Sequence, residues 1–192
     1  MKYYKLKISL DNYEERLNRT ILFKETGDLD LLAFTILSIF NTLSYHLYKF
    51  KDDKYEYECE ISINQAEEMG YPDVGKESWG VTLDMLKIKK HKFQMIYDFG
   101  ANYQFNIEIL DTIELKEIYR LPRVIDGVGY GIVEDGRDLL EDYFDGKPLE
   151  YPLLFIKRGK LTELDFNTFD KDELNKKLLR EIAKIRGAYY LY

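Results

Sequence analysis

Cysteine, histidine, proline and tryptophan are all scarce in this chain of 192 residues, which has one Cys, two His, four Pro and one Trp. The lone Cys59 excludes an intrachain disulfide and fits a reducing compartment. His46 and His91 show no zinc-ligand spacing with each other or with Cys59, so no metal ligand is assigned from spacing. Neither a phosphate-loop motif nor a nucleophile elbow is present, and no cofactor is expected. Four Pro and 12 Gly are too few for a fibrous or disordered chain. Long apolar runs are also missing. The longest, within Leu29 to Phe40, is too short to span a bilayer, and Lys2, Lys5 and Lys7 break up any signal-peptide pattern. A soluble, cytoplasmic protein with no membrane partner is expected. The net charge of −7 disfavours non-specific binding to polyanions.

Aromatics, by contrast, are abundant: 17 Tyr and 11 Phe predict much half-buried sheet. Lys92 to Leu110 is the clearest stretch. Phe93, Met95 and Tyr97 alternate with polar residues, Asp98 to Asn102 breaks the pattern, and Tyr103, Phe105, Ile107 and Ile109 alternate again. Two period-two runs around a glycine-bearing turn predict a hairpin, with Gly100 free to take positive φ at no steric cost and Asn102 tolerating it better than most residues.

Around it, Tyr4 to Leu10 and Asn18 to Lys24 read as a first antiparallel pair. Asp28 is placed to cap a helix over about Leu29 to Leu43. Strands are expected at Tyr45 to Phe50 and at Tyr55 to Ile63, the latter carrying Cys59 on its apolar side as a buried thiol. Gln65 to Ser78 reads as a loop, and Thr82 as the cap of a short helix to about Ile88. Thr112 to Arg120 continues as strand, Val124 to Glu134 reads as an ordered loop because of its three glycines, and Asp135 to Phe144 as a short acidic helix. A last helix spans Asp170 to Arg186, with Gly187 as its terminator and an aromatic tail that docks. This order predicts one α+β domain over residues 1–192. The expected form is an α/β roll whose mostly antiparallel sheet is flanked by a long helix from the N-terminal half and a C-terminal helix.

Tyr97-Asp98-Phe99-Gly100, Tyr103 and Phe105, then Pro122-Arg123-Val124-Ile125, Gly127, Gly129 and Glu134-Asp135, resemble the plasmid pRiA4b ORF-3-like family. Arg19 in the second strand, the helix LLAFTILSIF, His46-Leu47-Tyr48-x-Phe50 and FDKDELNKKL fit as well, so the resemblance covers roughly the whole chain. It implies an α/β roll and an accessory role of plasmid or transposon-passenger type, with no secure reaction. Ala101, Tyr103 and Phe105 stand where the family usually has aspartate, tryptophan and histidine, and Gly131-Ile132 and Gly136-Arg137 depart from it too. If those polar residues made a site in the family, part of it is missing here.

Two candidate sites remain. Asp98, Asn102, Tyr103, Glu134 and Asp135 are the polar residues of the two motifs, and they make a binding pocket if turn and glycine loop meet. Their carboxylates then suit a divalent cation or acid–base work. The blander account makes Asp98 a turn cap and Glu134-Asp135 a helix start, and it is preferred. Lys87, Lys89, Lys90 and Lys92, near strand aromatics, make a basic strip for single-stranded nucleic acid, against the preferred account of a solvated face. His46 reads as a hydrogen-bonded structural histidine. The leading expectation is a non-enzymatic binding or accessory protein working through protein or nucleic-acid contacts. The alternative is a metal-dependent or acid–base enzyme using the clustered carboxylates.

Overall fold

The hairpin expected around residue 100 lies in the middle of the sheet. The structure, a computed structural model, describes residues 1–192 except 72–73, 89–90, 117–118, 120–121, 150–151, 158–159 and 191–192, with only the backbone of 155–157 and 160–162. Strands β1 (Lys2–Leu10) and β2 (Asn18–Lys24) lead to helix α1 (Leu29–Ile39), then to β3 (Tyr48–Lys51), β4 (Glu56–Glu58), helix α2 (Glu60–Glu68) and β5 (Lys76–Glu77). A 3-10 turn at Leu83–Met85 precedes β6 (Lys92–Tyr97), β7 (Tyr103–Glu114) and β8 (Arg123–Val128). Helix α3 (Arg137–Phe144), the strand pair β9 (Leu154–Lys157) and β10 (Lys160–Glu163), and helix α4 (Lys171–Tyr190) complete the order.

The fold is α+β. Eight strands run in the order β5-β4-β3-β6-β7-β1-β2-β8, antiparallel throughout except for the short β4–β5 pair, while β9 and β10 pair separately. Period-two patterning puts Leu6, Ile8, Phe93, Met95, Tyr97, Phe105 and Ile107 on one buried face. Lys7, Gln94, Asn106 and Glu108 stand on the other, where one-residue register slips would turn every apolar side chain out. Helices α1 and α4 cover the apolar face. Almost every residue of α1 is buried, because it lies in the same core as the sheet and α4. Phe34 of α1 packs on Tyr189 and Tyr190 of α4.

Several local expectations are corrected. Helix α1 does start on Asp28, whose Oδ1 accepts the Leu31 N–H at 2.9 Å, but it stops at Ile39, and left-handed Asn41 and Ser44 turn the chain toward β3. The alternation from Tyr55 breaks at Cys59, and Glu60–Glu68 is helical, since the polar Glu60, Asn64, Glu67 and Glu68 suit a solvated helix as well as a strand. The glycine-rich stretch begins as strand β8 rather than loop. Gly127 is needed there for space, because a Cβ would meet the Asn18 carbonyl oxygen and the Arg19 side chain. Helix α4 runs through Gly187 to Tyr190, its last turn held by buried Tyr189. In the central turn Asn102 is left-handed, as its tolerance of positive φ allows, but its partner in that conformation is Asp98 rather than Gly100, with φ of 55° at each. Asp98 tolerates this because its own Oδ1 accepts the N–H groups of Gly100 and Ala101 at 3.0 and 3.1 Å.

Candidate metal centre

Three segments far apart in sequence converge beside that turn. The α1–β3 connection supplies Tyr45 and His46. The β6–β7 turn supplies Tyr97 and Asp98. The segment after β8 supplies Glu134 and Asp135, and Asp135, with φ 54°, precedes α3 rather than beginning it. Their common point is His46 Nε2, which lies 3.1 Å from Asp135 Oδ1, 3.4 Å from Asp98 Oδ2 and 3.8 Å from Glu134 Oε1.

Each carboxylate is tied back by hydrogen bonds from the protein. Asp98 spends Oδ1 on the turn and turns Oδ2 to the histidine. Glu134 Oε2 accepts the Leu43 N–H at 2.8 Å, while Oε1 accepts the Tyr97 hydroxyl. Asp135 Oδ2 accepts the Tyr45 hydroxyl, leaving Oδ1 for His46. The site is graded in depth: the side chains of Glu134, Asp98, His46 and Asp135 are 5, 9, 28 and 64% exposed. Burial, then the bond to Glu134, drives the Tyr97 phenol far above its ordinary pKa, so it stays a donor. The bond to Asp135 pushes Tyr45 up to about 12, and the same bond, with His46, draws Asp135 below the usual carboxylate range.

Among the described residues, one group of His, Cys, Asp and Glu has the geometry to hold a metal ion. It is His46, Asp98 and Asp135, whose ligand atoms all lie within 4.8 Å of one another. An imidazole nitrogen with carboxylate oxygens suits a divalent first-row cation such as Mn²⁺, Fe²⁺ or Zn²⁺. The mixed hydrogen-bonding of each carboxylate is the orienting shell such ligands require.

Of the residues picked out from the sequence, Asp98, Glu134 and Asp135 come together. Asp98 caps the turn with one oxygen and turns the other toward His46. Asn102 is exposed and joins through its backbone, its carbonyl accepting from Arg137. Tyr103 points its hydroxyl at the Val133 carbonyl, 2.6 Å away, and so braces the loop that carries Glu134. His46 was not picked out as a ligand, since its partners lie 52, 88 and 89 residues downstream and no local spacing reveals them. Its place in the family motif His46-Leu47-Tyr48-x-Phe50 is the signal the sequence offers for it. Of the basic strip, Lys89 and Lys90 lie outside the described residues. Lys92 pairs with Glu108 at 3.5 Å, and Lys87 is exposed. A groove of about 570 Å³ beside Lys92 mixes Lys7 and Lys51 with Glu14 and Glu108, so its charge is not of one sign.

The plasmid pRiA4b ORF-3-like protein family matches residues 2–143, a span that holds all four site residues. The crystal structure of a protein of unknown function from Methanosarcina mazei Go1 superposes with a TM-score of 0.64 at 19% identity, covering 90% of this chain and 96% of that one. At that identity the likeness concerns the fold alone. No curated protein matches the chain. No helix among the described residues is long and apolar enough to cross a membrane.

Proposed function

The chain belongs to the plasmid pRiA4b ORF-3-like family, and we propose that it is a divalent-cation protein whose ion is held by His46 Nε2, Asp98 Oδ2 and Asp135 Oδ1, with Glu134 Oε1 beside them. The observation that carries this is the arrangement of free oxygens. Asp98 and Asp135 each give one oxygen to the protein and turn the other toward a single imidazole nitrogen, while Glu134, whose two oxygens accept the Leu43 N–H and the Tyr97 hydroxyl, has Oε1 3.8 Å from the same nitrogen. Asp135 in particular is exposed, and an exposed carboxylate gains little stability from a neighbouring charge.

Three protein ligands leave coordination positions for water, and the exposed side at Asp135 and Tyr45 gives access to them. A cation so placed lowers the pKa of its water and polarises a carbonyl or phosphoryl oxygen. The reading is therefore a metal-dependent enzyme of hydrolytic type, in preference to a protein acting only through nucleic-acid contacts. The mixed charge around Lys92 supports that preference. Thermal melts with Mn²⁺, Co²⁺, Ni²⁺, Zn²⁺ and Mg²⁺ test the site. At a hundredfold excess over Kd, binding stabilises by about 2.7 kcal/mol, which raises Tm by roughly 5–10 °C. The His46→Ala variant should lose that response. No shift with any of these ions defeats the proposal. Ion binding without cleavage of nitrophenyl ester or phosphodiester substrates removes the enzymatic part and leaves an accessory role.

A further inference from the structure

Among the described residues Arg19 is the largest fully buried side chain, at 0% exposure, and it contributes nothing directly to the site. Among the described residues its guanidinium has no carboxylate partner. Instead it donates to five backbone carbonyls: Nε to Ile39 at 3.2 Å, Nη1 to Asn18 and Val128 at 2.6 Å each, and Nη2 to Gly129 and Tyr130 at 2.7 and 2.8 Å. The rings of Phe40 and Phe169 lie 4.9 and 4.8 Å from it. Burial lowers its pKa to about 9. A buried cation of this kind is costly unless every donor is used.

Apart from Asn18 in its own strand, the carbonyls it gathers belong to two segments, the end of α1 and the start of the glycine loop. From that point the segments run side by side toward the site. Asn41 Nδ2 donates to the Tyr130 carbonyl at 2.6 Å, the Ile132 N–H to the Phe40 carbonyl at 3.0 Å, and the Leu43 N–H to Glu134 at 2.8 Å. One segment ends in His46, the other in Glu134 and Asp135. We propose that Arg19 is a positioning residue for this site: it anchors the far end of a zipper that sets His46 against Glu134 and Asp135. Only a planar fork reaches carbonyls on both segments at once, which lysine cannot imitate. The consequence for ion affinity rests on the cation reading above; the zipper itself does not.

The test follows amide exchange over residues 39–46 and 128–135, together with Mn²⁺ titration, in Arg19→Met, Arg19→Lys and the milder Asn41→Ala. Leu6→Ala, a core truncation outside both segments, serves as the control for general destabilisation. Both Arg19 variants should exchange at least about tenfold faster in the two segments together, relative to β6 and β7. They should also bind Mn²⁺ about tenfold or more weakly. Asn41→Ala should show the same paired pattern at smaller amplitude, and it decides the matter if the Arg19 variants do not fold. Leu6→Ala should loosen the whole sheet and leave the Mn²⁺ affinity of the folded protein unchanged. Faster exchange in one segment only, or only in proportion to the global loss, overturns the zipper. Paired loosening with unchanged Mn²⁺ affinity overturns the positioning role. If the wild type binds no Mn²⁺, the cation reading fails, and exchange at Leu43 and Ile132 still decides whether Arg19 couples the segments.

Discussion

Nε2 of His46 stands 3.1 Å from Oδ1 of Asp135, although the two residues are 89 positions apart in the chain. The contact uses only half of the aspartate, because the Tyr45 hydroxyl holds the other oxygen. On the proposed reading this exposed carboxylate serves a ligand more than the fold, and that separates it from its buried neighbour Asp98.

The difference is measurable with two amide substitutions. Asp135→Asn alters an exposed group, so stability should stay within about 0.5 kcal/mol of wild type, while the Mn²⁺-induced rise in Tm should vanish. Asp98→Asn removes charge from the site and weakens the cap on Gly100 and Ala101. It should therefore lose the response and also cost about 1–3 kcal/mol without metal. Melts with and without Mn²⁺ read both effects. An Asp135→Asn protein that responds to Mn²⁺ as the wild type does excludes Asp135 from the ligand set.

Tyr97→Phe probes the inner side of the site. The phenol is held protonated by burial and by Glu134, and it orients Glu134 Oε1. Removing one hydroxyl leaves the ring and its packing in place. Cation affinity should fall about tenfold, as for other ligand-orienting partners, with a shift in Tm of only a few degrees. Isothermal titration is the direct measurement, and unchanged affinity would mean that Glu134 takes no part in binding.

The sheet was readable because period-two runs such as Phe93-Met95-Tyr97 and Tyr103-Phe105-Ile107 answer to a single buried face. Helix α2 and strand β8 were not, for opposite reasons. Ile61 and Ile63 continue a strand-like alternation that the chain abandons at Cys59. Gly127 looks like a loop residue but is a strand residue pressed against Arg19. Asp98, Glu134 and Asp135 could be picked out because they lie in two compact motifs. Their common focus could not, since His46 reaches them only through the α1–β3 turn, whose geometry depends on Asn41 and Ser44 in left-handed conformations. Arg19 gave no sign of its burial, because its partners are carbonyls, which no side-chain pattern encodes.

Asp52 gives a pH signature away from the site. Burial alone would raise its pKa, but N–H groups of Lys87, Tyr55 and Lys54 and the Tyr57 hydroxyl all donate to it, and the net shift is downward. A carboxyl whose folded-state pKa is depressed stabilises the fold above its unfolded pKa, and that contribution disappears as pH falls through the folded value. Asp52→Asn should therefore destabilise the protein at neutral pH and flatten the loss of stability below about pH 4. Urea unfolding at several pH values between about 2 and 7 tests this. Parallel curves for the two proteins would show that Asp52 has the same pKa in both states.

Two glycines with nearly the same backbone angle separate conformational need from packing. Gly129 and Gly146 have φ of 78° and 75°. Around Gly146 an added Cβ meets nothing within 4 Å, so Gly146→Ala pays only the left-handed penalty, about 1–2 kcal/mol. At Gly129 the same methyl would run into the Arg16 carbonyl oxygen and press on Leu17 Cδ1 and the Phe166 carbonyl oxygen at 3.1 and 3.3 Å. The Gly129 carbonyl also accepts from Arg19, so any shift of the loop breaks a buried charge-assisted bond. Gly129→Ala should cost about 3 kcal/mol or more, and it should weaken Mn²⁺ binding, because the displaced loop carries Glu134 and Asp135. Gly146→Ala, on the far side of α3, should leave Mn²⁺ affinity as it is. Equal losses of stability in the two variants, by urea titration, would show that the loop near Arg16 has room to move and that its path is not fixed by this contact.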